Sequence, residues 1–210
     1  MDHRNLYFVG RNYAMHAKEL GNETPKEPIV FLKPTHALAP LDGRTVKLDG
    51  TKGAIHYEVE LVLRIGQTYD PSIDAEAHIA GLALGLDLTL RDVQRELQRN
   101  GLPWLPAKSF PQSALRTEWQ PYPGLRALTD TEFSLRRNGA TVQRGHAGMM
   151  LFNIPALISF IGTRYGLGEG DLIYTGTPAG VGPVSDGDLL ECLYGEKIVG
   201  SCRFDLQQGE

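Results

Sequence analysis

Cysteine is scarce in the 210-residue sequence, which contains only Cys192 and Cys202. Two cysteines at this spacing do not provide the ligand set of a structural zinc site. They flank a predicted hairpin turn at residues 195–196, so they could lie nearly opposite each other. Because the sequence favours a reducing compartment, we expect free thiols that pack as small apolar groups.

The sequence also lacks a block of basic residues and a long apolar run. Lys and Arg number 21 against 25 Asp and Glu, giving a net charge of -4, so non-specific nucleic-acid binding has no electrostatic footprint here. The apolar stretches are well short of the roughly 20 residues that a membrane span needs. The polar N-terminus has no signal-peptide core. We therefore expect a cytoplasmic protein without nucleic-acid or membrane partners.

Short strands separated by turn residues dominate what is present. Asn138-Gly139 predicts a type I′ hairpin, and a second hairpin is predicted over residues 188–204. Residues 79–86 form a nearly continuous apolar run, which is typical of a strand buried on both faces. Predicted helices are few and short, and one of them begins after an N-cap at Thr89. Without repeats or linkers, the pattern predicts one α+β domain over residues 1–210 with a β-rich core.

One predicted strand, at residues 54–66, carries two carboxylates on the same face. Side chains two apart point the same way along a strand, so His56, Glu58 and Glu60 lie opposite the apolar residues. Neighbouring carboxylates repel each other unless a positive charge sits between them, and a divalent cation would supply it. The simpler interpretation is a half-buried strand whose glutamates face water, and pattern alone leaves both open.

Asp87 ends the apolar run at residues 79–86, where an unpaired buried carboxylate would cost several kcal/mol. It either hydrogen-bonds to the start of the following helix or binds a metal, and both interpretations stay open. Together with Glu58 and Glu60 it would form an oxygen-only site, which suits Mg²⁺ or Mn²⁺.

Three further polar residues fit an anionic substrate. Arg91 and Gln94 share one face of the helix after Asp87 and could clamp a carboxylate. Lys108, in a loop between two prolines, could stabilise an enolate. The loop at residues 175–183 offers backbone N–H groups and two hydroxyls to an anion, without the spacing of a P-loop or a dinucleotide fingerprint. The simpler interpretation of the three side chains is solvated surface.

His16 and Glu19 lie three residues apart on the short predicted helix at residues 14–20. At this spacing the glutamate could orient the histidine as a general base. Ordinary exposed polar residues are the simpler interpretation. The following glycine and two prolines would allow this helix to move as a lid.

Six segments, in order and over nearly the whole chain, resemble the fumarylacetoacetate hydrolase family. They are VGRNY at 9–13, FLKP at 31–34, HYEVEL at 56–61, DLTLRDVQ at 87–94, LPW and AKSF within 102–110, and TGTPAGVGP at 175–183. The resemblance is greatest to the small single-domain members that act on acylpyruvates, such as fumarylpyruvate hydrolase, and on oxaloacetate.

The resemblance implies the family's β-rich roll, a homodimer and a divalent metal, Mg²⁺ or Mn²⁺. It implies roles for ten residues: metal ligands Glu58, Glu60 and Asp87; substrate-binding residues Arg11, Arg91, Gln94 and Thr177; and catalytic residues His16, Glu19 and Lys108. One position departs from the full-length fumarylacetoacetases. They carry a further metal-binding carboxylate near the N-terminal motif, where this chain has Asn12.

The implied activity is hydrolysis of a C–C bond in a 2,4-diketo acid, an acylpyruvate such as fumarylpyruvate, to pyruvate and a carboxylic acid. His16, oriented by Glu19, would activate the water, and the metal with Lys108 would stabilise the pyruvate enolate. Decarboxylation of oxaloacetate, or isomerisation or tautomerisation of a 2-oxo acid, would use the same metal site. A non-catalytic protein that binds small acids is the alternative from another class.

Overall fold

The computed structural model describes residues 4–19 and 24–207, apart from the side chains of residues 16–18. Within this part of the chain, strands predominate and the helices are few and short, which confirms the predicted α+β, β-rich class. No helix among these residues is both long and apolar enough to cross a membrane.

The strands form three sheets. The largest has seven strands, in the spatial order β2 (Ile29–Lys33), β1 (Leu6–Gly10), β12 (Leu172–Tyr174), β6 (Val59–Ile65), β7 (Ile79–Asp87), β9 (Ala114–Arg116) and β3 (Leu38–Pro40). The second has the order β11 (Ala140–Gly145), β10 (Phe133–Arg137), β14 (Leu189–Tyr194), β15 (Lys197–Gln207) and β4 (Thr45–Asp49). The third consists of β13 (Gly182–Pro183), β5 (Ile55–Tyr57) and β8 (Thr89–Leu90).

Five α-helices lie among the described residues. They are α1 (Ala14–Glu19), α2 (Arg91–Arg99), α3 (Leu105–Lys108), α4 (Leu125–Asp130) and α5 (Ile154–Tyr165). Helix α5 begins after Asn153, whose side chain accepts a hydrogen bond from the N–H of Ala156, and Pro155 occupies the first turn. Helix α3 lies in a segment that the sequence predicted as loop.

The antiparallel pair β6–β7 is at the centre of the largest sheet, and this explains the apolar run in β7. Eight of its nine residues are buried, so the prediction of a strand covered on both faces is confirmed. Gly85 shows how tight the packing is. A Cβ at this position would lie 2.4 Å from a ring carbon of Tyr174 and 2.7 Å from the carbonyl oxygen of Leu115.

The strand predicted over residues 54–66 is instead two strands that meet at Glu58. The backbone N–H of Val59 donates to the side chain of Gln143 (2.9 Å) and not to a neighbouring strand. The apolar residues at odd positions do share one core, as predicted. The other face is not solvated, because β6 is buried on both sides.

The predicted N-cap at Thr89 is wrong. Thr89 belongs to β8, which pairs with β5, and α2 starts two residues later without a side-chain cap. The threonine hydroxyl instead accepts a hydrogen bond from Lys108 Nζ (2.6 Å). A buried ammonium has few acceptors available, so Lys108 donates to the Thr89 hydroxyl that the sequence pattern had assigned to the start of the helix.

Both predicted hairpins are present. Asn138 and Gly139 have φ angles of 51° and 82°, which a type I′ turn requires, and β14 pairs with β15 near the C-terminus. Cys192 and Cys202 are free and fully buried on these two strands, as expected.

Candidate active site

The ladder between β6 and β7 brings three carboxylates together. Glu60 is opposite Gly85 in the register, and the N–H of Asp87 donates to the carbonyl of Glu58 (2.9 Å). Each of Glu58, Glu60 and Asp87 offers a carboxylate oxygen within 4.8 Å of the others, and none is more than 4% exposed. We call these three residues the carboxylate triad. The predicted water-facing alternative is therefore wrong for both glutamates.

Three buried cations surround the triad. Arg91 forms a very short ion pair with Glu58. Lys108 Nζ lies 2.8 Å from Glu58 Oε2 and 2.6 Å from Asp87 Oδ2. Lys33 Nζ lies 2.6 Å from Asp87 Oδ1. Pairing of this kind is what allows charged groups to remain in the interior.

The two lysines differ in their protonation. Burial lowers the pKa of Lys108, but the charges of Asp87 and Glu58 outweigh it, so the pKa is raised overall. Burial lowers the pKa of Lys33 to about 8, and the nearby Lys108 adds to this effect while Asp87 opposes it. Lys108 is therefore the more firmly protonated of the two ammonium groups.

Glu60 differs from Glu58 and Asp87 because it accepts a hydrogen bond from a backbone group, the N–H of Gly176 (2.8 Å). Burial raises the pKa of Glu60, and the negative charges of Asp87 and Glu58 raise it further. A cation among the three carboxylates would relieve this repulsion. The donor set is all oxygen, buried and convergent, so it fits Mg²⁺ or Mn²⁺.

The first turns of α2 present a polar face to the same cavity. Arg91 and Gln94 are both buried, and Arg91 Nη1 donates to Gln94 Oε1 (2.7 Å). This leaves the amide N–H groups of Gln94 available to a ligand. Arg95 and Gln98 continue this face to the rim of the cavity. The predicted shared face is thus present and longer than expected.

The mouth of the cavity is formed by Arg11, Glu19 and Trp104. The Arg11 guanidinium lies 6.0 Å from the centre of the Trp104 ring, and Arg11 has a positive φ of 58°. Both carboxylate oxygens of Glu19 lie 3.2 Å from the N–H of Gly180. His16 is in α1, but its side chain is outside the described residues, so the pairing predicted with Glu19 stays a prediction.

Nine of the ten residues singled out from the sequence line this one cavity, and the side chain of the tenth, His16, lies outside the described residues. The nine are Arg11, Glu19, Glu58, Glu60, Asp87, Arg91, Gln94, Lys108 and Thr177.

Four residues support the cavity in ways that the sequence did not predict. Lys33 had a usable signal, since a charged residue that ends an apolar strand is the same feature that marked Asp87. Thr89 was noticed but assigned to a helix cap. Gln143 had no signal, because its buried amide crosses from a distant strand. Asn12 is fully buried and bridges two loops, donating to the carbonyl oxygens of Thr175 (2.8 Å) and Phe152 (3.1 Å).

Comparisons with known proteins agree with this architecture. Residues 5–206 match the model of the fumarylacetoacetate (FAA) hydrolase C-terminal family. Oxaloacetate tautomerase FAHD1 of Mus musculus is 40% identical over 99% of this chain and 93% of its own length. Oxaloacetate decarboxylase of Dictyostelium discoideum is 38% identical over 90% of this chain and 88% of its own.

A solved structure adds a further relative. The crystal structure of fumarylpyruvate hydrolase from Pseudomonas aeruginosa, in complex with Mn²⁺ and pyruvate, has a TM-score of 0.90 and 34% identity. The match covers 98% of this chain and 91% of that one. The chain is therefore an enzyme of the fumarylacetoacetate hydrolase family, with a carboxylate triad suited to a divalent metal.

Proposed function

We propose that the protein catalyses the keto–enol interconversion of oxaloacetate at a divalent cation held by the carboxylate triad. The charge count of the buried cluster carries the substrate class in this proposal, a dianionic 2-oxo acid. Three carboxylates face three cations, Lys33, Arg91 and Lys108, so their charges cancel. A divalent cation adds two positive charges, and the oxaloacetate dianion balances them in a site where uncompensated charge is costly. The curated relatives named for oxaloacetate support the same substrate.

The cation, when bound, would draw negative charge onto the C2 oxygen and so ease removal of a proton from C3. Lys108 adds a second positive group on the same side. Because Asp87 and Glu58 keep it protonated, it contributes positive charge near the oxygen where enolate charge develops and does not act as the base. Arg91 and the free amide of Gln94 hold a carboxylate of the substrate.

The proton at C3 requires a carrier on the open side of the cavity. We assign this role to His16, one helical turn before Glu19 on α1. The contact of Glu19 with the N–H of Gly180 holds this helix against the loop that carries Thr177, which supports a position of α1 over the substrate.

The direct test follows the ultraviolet absorbance of oxaloacetate as the enol and keto forms equilibrate, with metal-stripped protein and after Mg²⁺ or Mn²⁺ is added. We expect metal-dependent acceleration that Lys108→Met removes. Glu169→Gln, an exposed substitution away from the cavity, is the matched control. Equilibration at the uncatalysed rate with metal bound would contradict the proposal.

Hydrolysis of an acylpyruvate is the second candidate function. It is favoured by the position of Glu19 at the mouth, where a dyad with His16 would activate water, and by the similarity to the Pseudomonas fumarylpyruvate hydrolase. The test incubates the Mg²⁺-loaded protein with fumarylpyruvate and acetylpyruvate and measures pyruvate together with the matching acid. His16→Ala should abolish hydrolysis and leave metal binding intact, whereas full activity in that variant would contradict the dyad.

The same assays separate the remaining alternatives. Pyruvate and CO₂ from oxaloacetate alone would identify a decarboxylase. Metal-dependent ligand binding without any turnover would indicate a binding protein.

Three broader expectations stay proposals: a single domain over residues 1–210, a homodimer and a cytoplasmic location. The names of the mouse and Dictyostelium relatives give those proteins a mitochondrial one. Analytical ultracentrifugation tests the dimer, and fractionation of the source cells tests the compartment.

A further inference from the structure

We propose that Gln143 is a positioning residue that turns the hydroxyl of Thr177 into a hydrogen-bond donor for the substrate carboxylate. This inference deepens the proposed function and rests on it, because it assumes that the cavity takes a 2-oxo acid. The observation that carries it is a buried amide with three hydrogen-bond partners, the Val59 N–H, the Pro178 carbonyl and the Thr177 hydroxyl, of which only the hydroxyl can rotate its proton.

Gln143 reaches the site from a different sheet. It lies on β11, in the five-stranded sheet, and is 1% exposed. Its amide extends to the break between β5 and β6, where it meets Val59 between the two glutamates of the triad. The same amide contacts Thr177 and Pro178 in the loop after β12. One side chain thus joins the triad strand to the loop that lines the cavity.

Two backbone groups fix the orientation of this amide. The N–H of Val59 can only donate, so the atom 2.9 Å from it is the amide oxygen. The carbonyl of Pro178 can only accept, so the atom 2.8 Å from it is the amide nitrogen. A flipped amide would set oxygen against oxygen and nitrogen against nitrogen. The second N–H of Gln143 therefore donates to Thr177 Oγ1, at 2.9 Å.

This assignment determines what Thr177 can do. Its oxygen already accepts from Gln143, so its own proton is directed elsewhere. No group of the described part of the chain, which leaves out the side chains of residues 16–18, accepts this proton, while Thr177 is 3% exposed and lines the cavity beside the triad. A substrate carboxylate oxygen is the acceptor that completes the arrangement. Thr177 then contributes a donor of fixed direction, and Gln143 acts on the substrate through it.

The test measures pyruvate affinity by calorimetry at saturating Mn²⁺, since pyruvate is a minimal 2-oxo acid with one carboxylate. Thr177→Val removes the donor, and we expect about 10- to 100-fold weaker binding, the usual worth of a hydrogen bond to a charged group. Gln143→Glu puts an oxygen where the amide nitrogen was, so the threonine proton turns toward it. We expect a comparable loss, and no further loss when both substitutions are combined.

Further variants separate positioning from structural support. Thr177→Ser keeps the hydroxyl and should bind pyruvate nearly as well as the unmodified protein, yet remain sensitive to Gln143→Glu. Gln143→Met, which has no oxygen to capture the proton, should lose less affinity than Gln143→Glu and serves if the latter fails to fold. Thr129→Val is the matched control. It removes a threonine hydroxyl on α4, outside the cavity, that donates to the carbonyl of Leu125 (3.0 Å), and it should leave pyruvate affinity unchanged.

Two results would overturn the inference. One is a folded Gln143→Glu variant that binds pyruvate as tightly as the unmodified protein. The other is a double variant whose loss of pyruvate affinity equals the sum of the two single losses in free energy. Failure of the proposed function is distinguishable, because pyruvate binding requires no turnover. Coupled losses in a protein that leaves oxaloacetate unchanged would refute the tautomerase and leave the role of Gln143 standing.

Discussion

The interior and the mouth of the cavity are built in opposite ways. In the interior, the triad and its cations are buried, and ion pairs hold Glu58 and Asp87 to Arg91, Lys108 and Lys33. At the mouth, Arg11 follows the end of a strand, Glu19 is on a six-residue helix, and Arg95 is exposed on α2. The charged groups are therefore held in place where the reacting oxygens would bind, and they are freer to move where the rest of the substrate would lie.

This difference suggests how one architecture serves several reactions. Stabilising an enolate is common to tautomerisation, decarboxylation and acylpyruvate hydrolysis, and it depends on the interior. Whether water attacks, and which group the substrate carries beyond C3, depends on the mouth. Relatives named for these different reactions are all similar to this chain over most of its length.

The largest effect is expected from the interior itself. Glu60→Gln removes one ligand charge, and we expect activity to fall by about a thousandfold or more, because a metal ion contributes several kcal/mol to stabilising the transition state. Mn²⁺ titration should show weakened binding, with Glu169→Gln as the control. If Glu60→Gln kept both metal affinity and activity, the interior would not be the metal site.

The two interior lysines should separate catalysis from stability. Lys108→Met should lower kcat by about 10²- to 10³-fold, as the loss of an oxyanion donor does elsewhere. Lys33→Met breaks the buried ion pair with Asp87 Oδ1 and leaves Lys108 as the remaining cation on this carboxylate, so it should lower the free energy of unfolding by about 3–5 kcal/mol. Urea denaturation and steady-state kinetics on both variants provide the comparison. Equal losses of kcat in the two variants would contradict the prediction that Lys108 serves catalysis and Lys33 stability.

Metal binding should stabilise the interior more than the mouth. Adding Mn²⁺ at about 100 times its dissociation constant should raise the free energy of unfolding by about 2.7 kcal/mol. Thermal melts with EDTA and with Mn²⁺ measure this shift. The shift should disappear in Glu60→Gln and persist in Glu19→Gln, and its loss in the latter would place Glu19 within the metal site.

The smallest effect is expected at the rim. Arg95→Gln removes an exposed positive charge, so KM for oxaloacetate should rise by about two- to fivefold, the range of exposed charge interactions. The rise should shrink as salt increases, and kcat should stay constant. A large, salt-independent change would mean that Arg95 belongs to the interior.

The sequence predicted those parts of the site that follow from strand periodicity and strand ends. Alternation put Glu58 and Glu60 on one face, and the end of an apolar run singled out Asp87. Predictions from neighbouring residues failed where a polar atom forms its hydrogen bond with a residue distant in the sequence. The Thr89 hydroxyl bonds to a buried lysine and not to its own helix, and Gln143 takes the Val59 N–H from the ladder.

Fold class and turns were predictable because they depend on neighbours along the chain. The two-residue hairpin at Asn138 follows from a dipeptide, and the cap of α5 follows from Asn153. Contacts between residues distant in the sequence, such as those of the Gln143 amide, do not alter the periodicity of the sequence. A buried glutamine on a strand therefore resembles an exposed one.

Gly85 has a consequence for any survey of tolerated substitutions in this protein. It lies opposite Glu60 in the ladder and does not itself line the cavity, yet even a methyl group there would meet the Tyr174 ring and a backbone oxygen. In a selection for activity, substitutions of this glycine would be lost as completely as substitutions of a metal ligand. The positions that tolerate no substitution would therefore include both catalytic residues and residues needed for folding. A parallel selection for folded protein would separate the two groups.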